Sequence, residues 1–235
     1  GKIYREKLED LGVSARLGEG DGSTGSSLVL VSDDGARTMN TYLGMSQELQ
    51  APDIDPEIIK SSKYLYLTGY LWDTESQKKA VRTALDEAKK SNTKVALSLS
   101  DPFCVTRHKA DFKNLLQGYV SMVFCNQEEA FTLLDINVTQ EAVEILSKWT
   151  ETVVLTLGAN GALISHIGQT YYIDPLAISV EDTTGAGDAF SAGFLYGMTH
   201  NLSPLDSGRI GATLAGAVIE QTGPRYQGHA HTLIR

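Results

Sequence analysis

The densest chemistry in the chain lies in Glu181-Asp182-Thr183-Thr184-Gly185-Ala186-Gly187-Asp188-Ala189-Phe190. Two glycines flank an alanine and lead into Ala189-Phe190-Ser191-Ala192-Gly193, a small-residue run that predicts a tightly packed helix. The backbone is bare of large side chains where that helix begins. Its free N–H groups and the positive end of its dipole suit an anion. Asp188 stands in the first turn. A plain helix-start acid gains ~0.3–1 kcal/mol from the dipole, but beside an anion nest its charge repels the anion unless it has work to do. With a phosphoryl group on the amides of Gly185, Ala186 and Gly187, Asp188 is placed to accept the proton of an attacking hydroxyl, and the amides to stabilise charge on the transferred group. Phosphoryl transfer is the economical reading.

Two further motifs fit beside it. Asn126-x-x-Glu129 has the form of a capping box, and equally offers two oxygen groups to the water shell of Mg²⁺ near a phosphate. Thr156-x-Gly158-x-x-Gly161 is either a strand-to-turn transition or a place where a nucleotide approaches the backbone. Other chemistries are missing from the sequence. There is no Walker Gly-x-x-x-x-Gly-Lys-Ser/Thr, no protein-kinase set and no Gly-x-Ser-x-Gly elbow. The histidines at 108, 166, 200, 229 and 231 are scattered, which argues against a transition-metal site. Gly20-x-Gly22-x-x-Gly25 has dinucleotide-fingerprint spacing but precedes a strand where the fingerprint must follow one, so it reads as a flexible connection.

The elements that must position these residues follow an α/β pattern. A helix is expected over residues 2–11, with Ile3, Leu8 and Leu11 on one side. Ser27–Val31, the turn signal Asp33-Asp34-Gly35 and the alternating Arg37–Leu43 predict a β-hairpin. From residue 63 short apolar strands alternate with helices: strands at 64–69, 94–99, 121–125 and 152–157, and helices at 74–90, 108–117, 127–134 and 139–149. Two short strands, 162–165 and 169–173, and helices 187–200 and 204–221 close the chain. This pattern specifies βαβ units, a mostly parallel sheet and three αβα layers, with the hairpin as a small lid. The division expected is 1–24 as helix and connection, 25–44 as hairpin, and 45–235 as the nucleotide-binding and catalytic domain. In a parallel sheet, ligands bind beyond the carboxyl ends of the strands. The polar segments follow those ends: Thr68-Gly69, Ser100-Asp101-Pro102-Phe103, Asn126–Glu129 and Gly158–Gly161.

Composition is that of an ordinary globular protein, 42% hydrophobic and 21% charged. A net charge of −9 argues against nucleic acid or an acidic membrane as partner. No apolar run approaches a membrane span and the start is not a signal peptide. Two cysteines without metal-type spacing point to a reducing cytoplasm, where the sequons at Asn137 and Asn201 go unused.

Asp182-Thr183-Thr184-Gly185-Ala186-Gly187-Asp188 resembles the signature of the ribokinase-like (PfkB) carbohydrate and nucleoside kinases, and the other two motifs match that family's in the right order. The resemblance implies the ribokinase-like fold and ATP-dependent transfer of the γ-phosphate to a CH₂OH group, with Mg²⁺ and often a monovalent cation such as K⁺ near the signature loop. Carried over, Asp188 is the base and Gly185, Ala186 and Gly187 the anion hole. Asn126 and Glu129 act on Mg²⁺ through water, Thr156, Gly158 and Gly161 on the nucleotide, Asp182 on the monovalent cation and Thr184 on the acceptor.

Thr38–Gly44, Gly69–Asp73 and Ser98–Phe103 look like adenosine-kinase-like members. That likeness gives Phe103 a base-stacking role and makes Met39, Thr41 and Leu43 lid contacts. Adenosine is the first expectation for acceptor and a sugar such as ribose or fructose the second. A non-catalytic nucleotide-binding relic and a sugar- or base-binding protein without ATP are the remaining alternatives. The hairpin is expected either to close over one active site or to pair with a second subunit as a homodimer. The family's first strand, with its substrate-binding acid, and its Gly-Gly segment have no match here, so poor acceptor binding is expected of this chain.

Overall fold

The computed structural model describes residues 1–31 and 37–234; the turn signal Asp33-Asp34-Gly35 lies outside them. After helix α1 (Lys2–Asp10), strands β1 (Thr24–Val31) and β2 (Arg37–Gly44) form an antiparallel two-stranded sheet. A short helix α2 (Pro56–Ser61), capped by Asp55, was not foreseen. Then come β3 (Tyr64–Thr68), α3 (Glu75–Ser91), β4 (Lys94–Ser98), α4 (Pro102–Gly118), β5 (Met122–Asn126), α5 (Gln127–Leu134), α6 (Thr139–Leu146) and β6 (Thr152–Thr156). Strands β7 (Ala162–His166) and β8 (Gln169–Ile173) and helices α7 (Ala186–Thr199) and α8 (Pro204–Ile219) complete the chain.

The six strands β3 to β8 lie in sequence order, parallel from β3 to β6 and antiparallel through β7 and β8. This is the α/β, mostly parallel architecture expected, with the hairpin as a separate small sheet. Parallel strands bury both faces, and alternate residues feed two cores. Leu67, Val95, Leu97, Val123, Cys125, Val153 and Leu155 pack under α2 to α6. Ala96, Met122, Phe124, Val154 and Ile164 pack under α7 and α8, against Phe190 and Phe194. Helices α7 and α8 approach closely because Gly193 faces Gly211; a Cβ on Gly193 would stand 2.8 Å from the Gly211 Cα.

Two expectations are corrected. Helix α4 begins at Pro102, six residues before the expected 108, because Asp101 accepts from Cys104 N (2.7 Å) as N-cap and Pro102 takes the first helical position. The expected start, His108, is instead a break in that helix (φ −124°, ψ 22°). Helix α1 forms, but its apolar side is not buried: Ile3 is 71% exposed. Among the described residues no helix is long and apolar enough to cross a membrane.

Candidate active site

Strands β3 to β6 all end on one edge of the sheet, and the signature loop runs across that edge into α7. Asp182 organises the loop. Its two carboxylate oxygens accept from Thr184 N (2.9 Å) and Gly223 N (3.0 Å), tying the loop to the segment after α8. Gly185 follows as the N-cap of α7 with φ +83°, and a Cβ there would lie 2.5 Å from Pro224 O, so both conformation and space demand glycine. Ala186 N–H closes the turn onto Thr183 O (3.3 Å), and the positive end of the helix dipole falls on the Gly187 and Asp188 peptide groups. Gly187 is different from Gly185: a Cβ there would meet nothing within 4 Å.

A cavity of about 760 Å³ gathers most of the residues predicted from sequence: Asn126, Glu129, Thr156, Thr184, Gly185, Ala186, Gly187, Asp188 and, from the hairpin, Met39. A second, apolar cavity of about 450 Å³ holds Gly158 and Gly161 together with Leu176, Ile178 and Val180. Thr156, Thr183, Ala186, Gly187 and Phe190 line both, so the two spaces meet at the start of α7. The start of α7 therefore stands between two spaces, one mostly apolar and the other lined by carboxylates and hydroxyls.

The two glycines after Thr156 do different jobs. Gly158 (φ +58°) has open space around it, as a backbone meant for close approach would. Gly161 (φ +81°) is set by packing, since a Cβ there would strike Ile173 O at 2.0 Å.

Asn126 and Glu129 form the reciprocal capping box of α5. Asn126 Oδ1 accepts from Glu129 N (2.8 Å), while Asn126 N and Nδ2 donate to Glu129 Oε2 (3.2 Å) and Oε1 (2.7 Å). The box leaves further lone pairs on a carboxylate that is only 5% exposed. Burial pushes the Glu129 carboxyl up to about 7, with Asp101 and Glu128 adding to the rise against the Asn126 amide. Burial likewise raises Asp188, which faces the cavity. Asp101, Glu128, Glu129 and Asp188 all line this cavity, and among the described residues no lysine or arginine does. A polyanionic substrate would need a hard cation beside it, and the donors present are the oxygens such a cation prefers. No described group of three or more His, Cys, Asp or Glu could hold a metal by itself.

The remaining predicted residues stand outside. Phe103, in the first turn of α4, is 79% exposed and lines neither cavity. Thr41 is bonded across the hairpin to Ser27 (Oγ to Oγ1, 2.8 Å), and Leu43 is half-buried on the same hairpin face as Met39, away from the cavity lining. The cavity also brings in Tyr70, Ser98 and Ser191, which no motif spacing marks. Burial, followed by Asp101, raises the Tyr70 phenol.

A profile of the pfkB family carbohydrate kinases matches residues 1–230. The fold is similar to that of a probable sugar kinase from Rhizobium etli (35% identity, TM-score 0.93) and of adenosine kinase from Sinorhizobium meliloti (34%, TM-score 0.92), each covering 99% of this chain. An uncharacterised sugar kinase from Archaeoglobus fulgidus is 26% identical over 96% of this chain. The chain spans 72% of both structures and 88% of the Archaeoglobus protein, but between 53% and 64% of several other curated relatives.

Proposed function

This chain belongs to the pfkB family of carbohydrate kinases, and from that premise we propose that it transfers the γ-phosphate of ATP to the CH₂OH group of a nucleoside, adenosine first. The observation that carries the reading is the meeting of the two cavities at Ala186 and Gly187, with Asp188 on the side of the larger one. The apolar cavity takes the nucleotide and the nest at Gly185–Gly187 the phosphate. As the acceptor oxygen bonds to the γ-phosphorus and the bond to the bridging oxygen of ADP breaks, the Asp188 carboxylate takes the hydroxyl proton. Partial desolvation on the cavity side raises its carboxyl and so strengthens it as a base, although the residue as a whole stays exposed. Glu129 and Asn126 would hold Mg²⁺ through water, and the ion would supply neutralisation of phosphate charge. K⁺ near Asp182 belongs to this reading as well; a fructokinase from Vibrio cholerae, 21% identical, is described with potassium bound.

Acceptor choice has support on both sides. The adenosine kinase of Sinorhizobium meliloti and the likeness of Gly69–Asp73 favour adenosine, and Tyr70 offers a ring to a base inside the cavity. The position of Phe103 outside it favours a sugar, as does the similarity to the probable sugar kinase. Met39 and Val29 share the hairpin face that meets the cavity, whereas Leu28, Leu30 and Tyr42 are 63%, 60% and 57% exposed on the other. One face serves as lid and the other suits a second copy of the chain. ATP consumption measured against adenosine, other nucleosides, ribose and fructose tests the reading: turnover with one of them is expected, and none with any of them would refute it.

A further inference from the structure

Tyr66 is a half-buried residue whose hydroxyl the chemistry above leaves without work. It sits at the centre of β3, on the sheet face that packs under α7. Its ring stands edge-on to Phe124 (centroids 6.1 Å, interplanar 69°), which stands edge-on to Phe194 of α7 (5.8 Å, 82°). A phenylalanine would fill that role. Tyr66 instead carries a hydroxyl that is sealed from solvent without a hydrogen-bond partner, one of two such side-chain atoms among the described residues. The other, Ser207 Oγ, lies in the close contact of α8 with Gly197 of α7. A buried hydroxyl left unpaired is a cost that needs a reason.

The surroundings supply one. The Ser191 and Ser98 hydroxyls lie near the Tyr66 oxygen without completing a hydrogen bond to it, and the Asp188 and Glu129 carboxylates act on it from further off. Both serines line the catalytic cavity. Ser191 is 3% exposed, lies one turn beyond Asp188, and donates its O–H to Gly187 O (2.9 Å), which leaves its own lone pairs to accept.

We propose that Tyr66 is a positioning residue for the transfer. When the triphosphate seats in the anion nest, the first turn of α7 settles toward β3 and Tyr66 O–H is donated to Ser191 Oγ. A chain from Tyr66 through Ser191 to the Gly187 carbonyl then fixes the peptide groups that hold the phosphate and the backbone that aims Asp188. The hydrogen bond unmet in the open site is made in the loaded one, so the hydroxyl favours the loaded state. This inference rests on the kinase reading.

Tyr66→Phe, which removes the oxygen alone, tests it in four measurements: kcat, the KM for ATP, Tm, and amide hydrogen exchange at residues 187–191 with and without a non-hydrolysable ATP analogue and Mg²⁺. A kcat about tenfold lower, from one lost hydrogen bond, is expected with the KM for ATP little changed and Tm equal or higher. The protection that the analogue confers on 187–191 should shrink. Ser191→Ala should reproduce the kcat loss. Full kcat in Tyr66→Phe beside an active wild type overturns the proposal, and so does a kcat loss accompanied by a Tm several degrees lower. A wild type inactive on every acceptor refutes the kinase reading instead. Exchange then decides for Tyr66 alone, and equal protection in both proteins overturns it.

Discussion

Gly187→Ala separates the anion nest from the stability of the fold. In an α-helix every Cα–Cβ bond tilts toward the N-terminus, so a methyl at the second residue of α7 projects toward the helix start, where both cavities meet. It would touch nothing within 4 Å in the protein itself. Alanine in a helix is favoured over glycine by roughly 0.5–1 kcal/mol, and for a chain this long about 1 kcal/mol moves Tm by ~2–4 °C. The variant should therefore melt about 1–4 °C higher than wild type. Its methyl nevertheless enters the space that the proposed reaction gives to phosphate. Loss of one such contact in comparable sites costs about 10²–10³ in kcat, and a loss of that order in kcat/KM for ATP is expected. Scanning calorimetry and steady-state kinetics on one preparation read both. Activity within threefold of wild type, with Tm raised, would show that phosphate does not sit at Gly187; a Tm several degrees lower would show that the space is not open.

Two further perturbations test the electrostatics and the packing behind the site. Glu129 has its carboxyl raised from 4.5 to about 7, so the folded state holds a proton that the unfolded chain releases between those values. Stability from this group is therefore greatest below pH 4.5 and falls as pH rises toward 7, by about 3 kcal/mol at ~1.4 kcal/mol per pH unit. Glu129→Gln should lose that slope, so its Tm should gain on wild type by several degrees between pH 5 and pH 8; a gap that does not change with pH would contradict the assignment. Gly193→Ala places a methyl 2.8–2.9 Å from backbone atoms of Ile210 and Gly211, which cannot rotate away. Overpacking of this kind costs about 1–3 kcal/mol, so thermal melting should drop several degrees, whereas Gly118→Ala, with nothing within 4 Å, should not lower it.

The central βαβ order is legible in the sequence because strands buried on both faces read as short apolar runs, and capping residues such as Thr74 and Ser203 mark helix starts. The sequence hides the start of α4 because Ser100-Asp101-Pro102-Phe103 looks like a strand-end loop. The same Asp-Pro pair is also an N-cap followed by a first-turn proline. Periodicity alone cannot say how far an apolar side is buried, and on α1 only Leu8 is partly covered while Ile3 and Leu11 stay exposed. At the site, motif residues with fixed spacing were legible and converge on one sheet edge. Tyr70 and Ser98 lie in segments marked only as whole stretches, and Ser191 reaches the cavity through helix phase, which no local spacing records. Gly161 shows the converse: its glycine is required, but by Ile173 O rather than by an open approach to the cavity. The Tyr-Leu-Tyr-Leu alternation of β3 places Tyr66 on the α7 face, yet nothing in the sequence distinguishes its hydroxyl from that of Tyr64.

The central claim is that Asp188 removes the proton of an acceptor hydroxyl in a site that binds ATP at Gly185–Gly187. Asp188→Asn keeps the shape of the first turn of α7 and removes the base. With an acceptor that wild type phosphorylates, the variant should lose about 10²–10⁴ in kcat, while ATP binding measured by calorimetry stays equal or tightens as one negative charge leaves the cavity. Turnover within tenfold of wild type would contradict the claim.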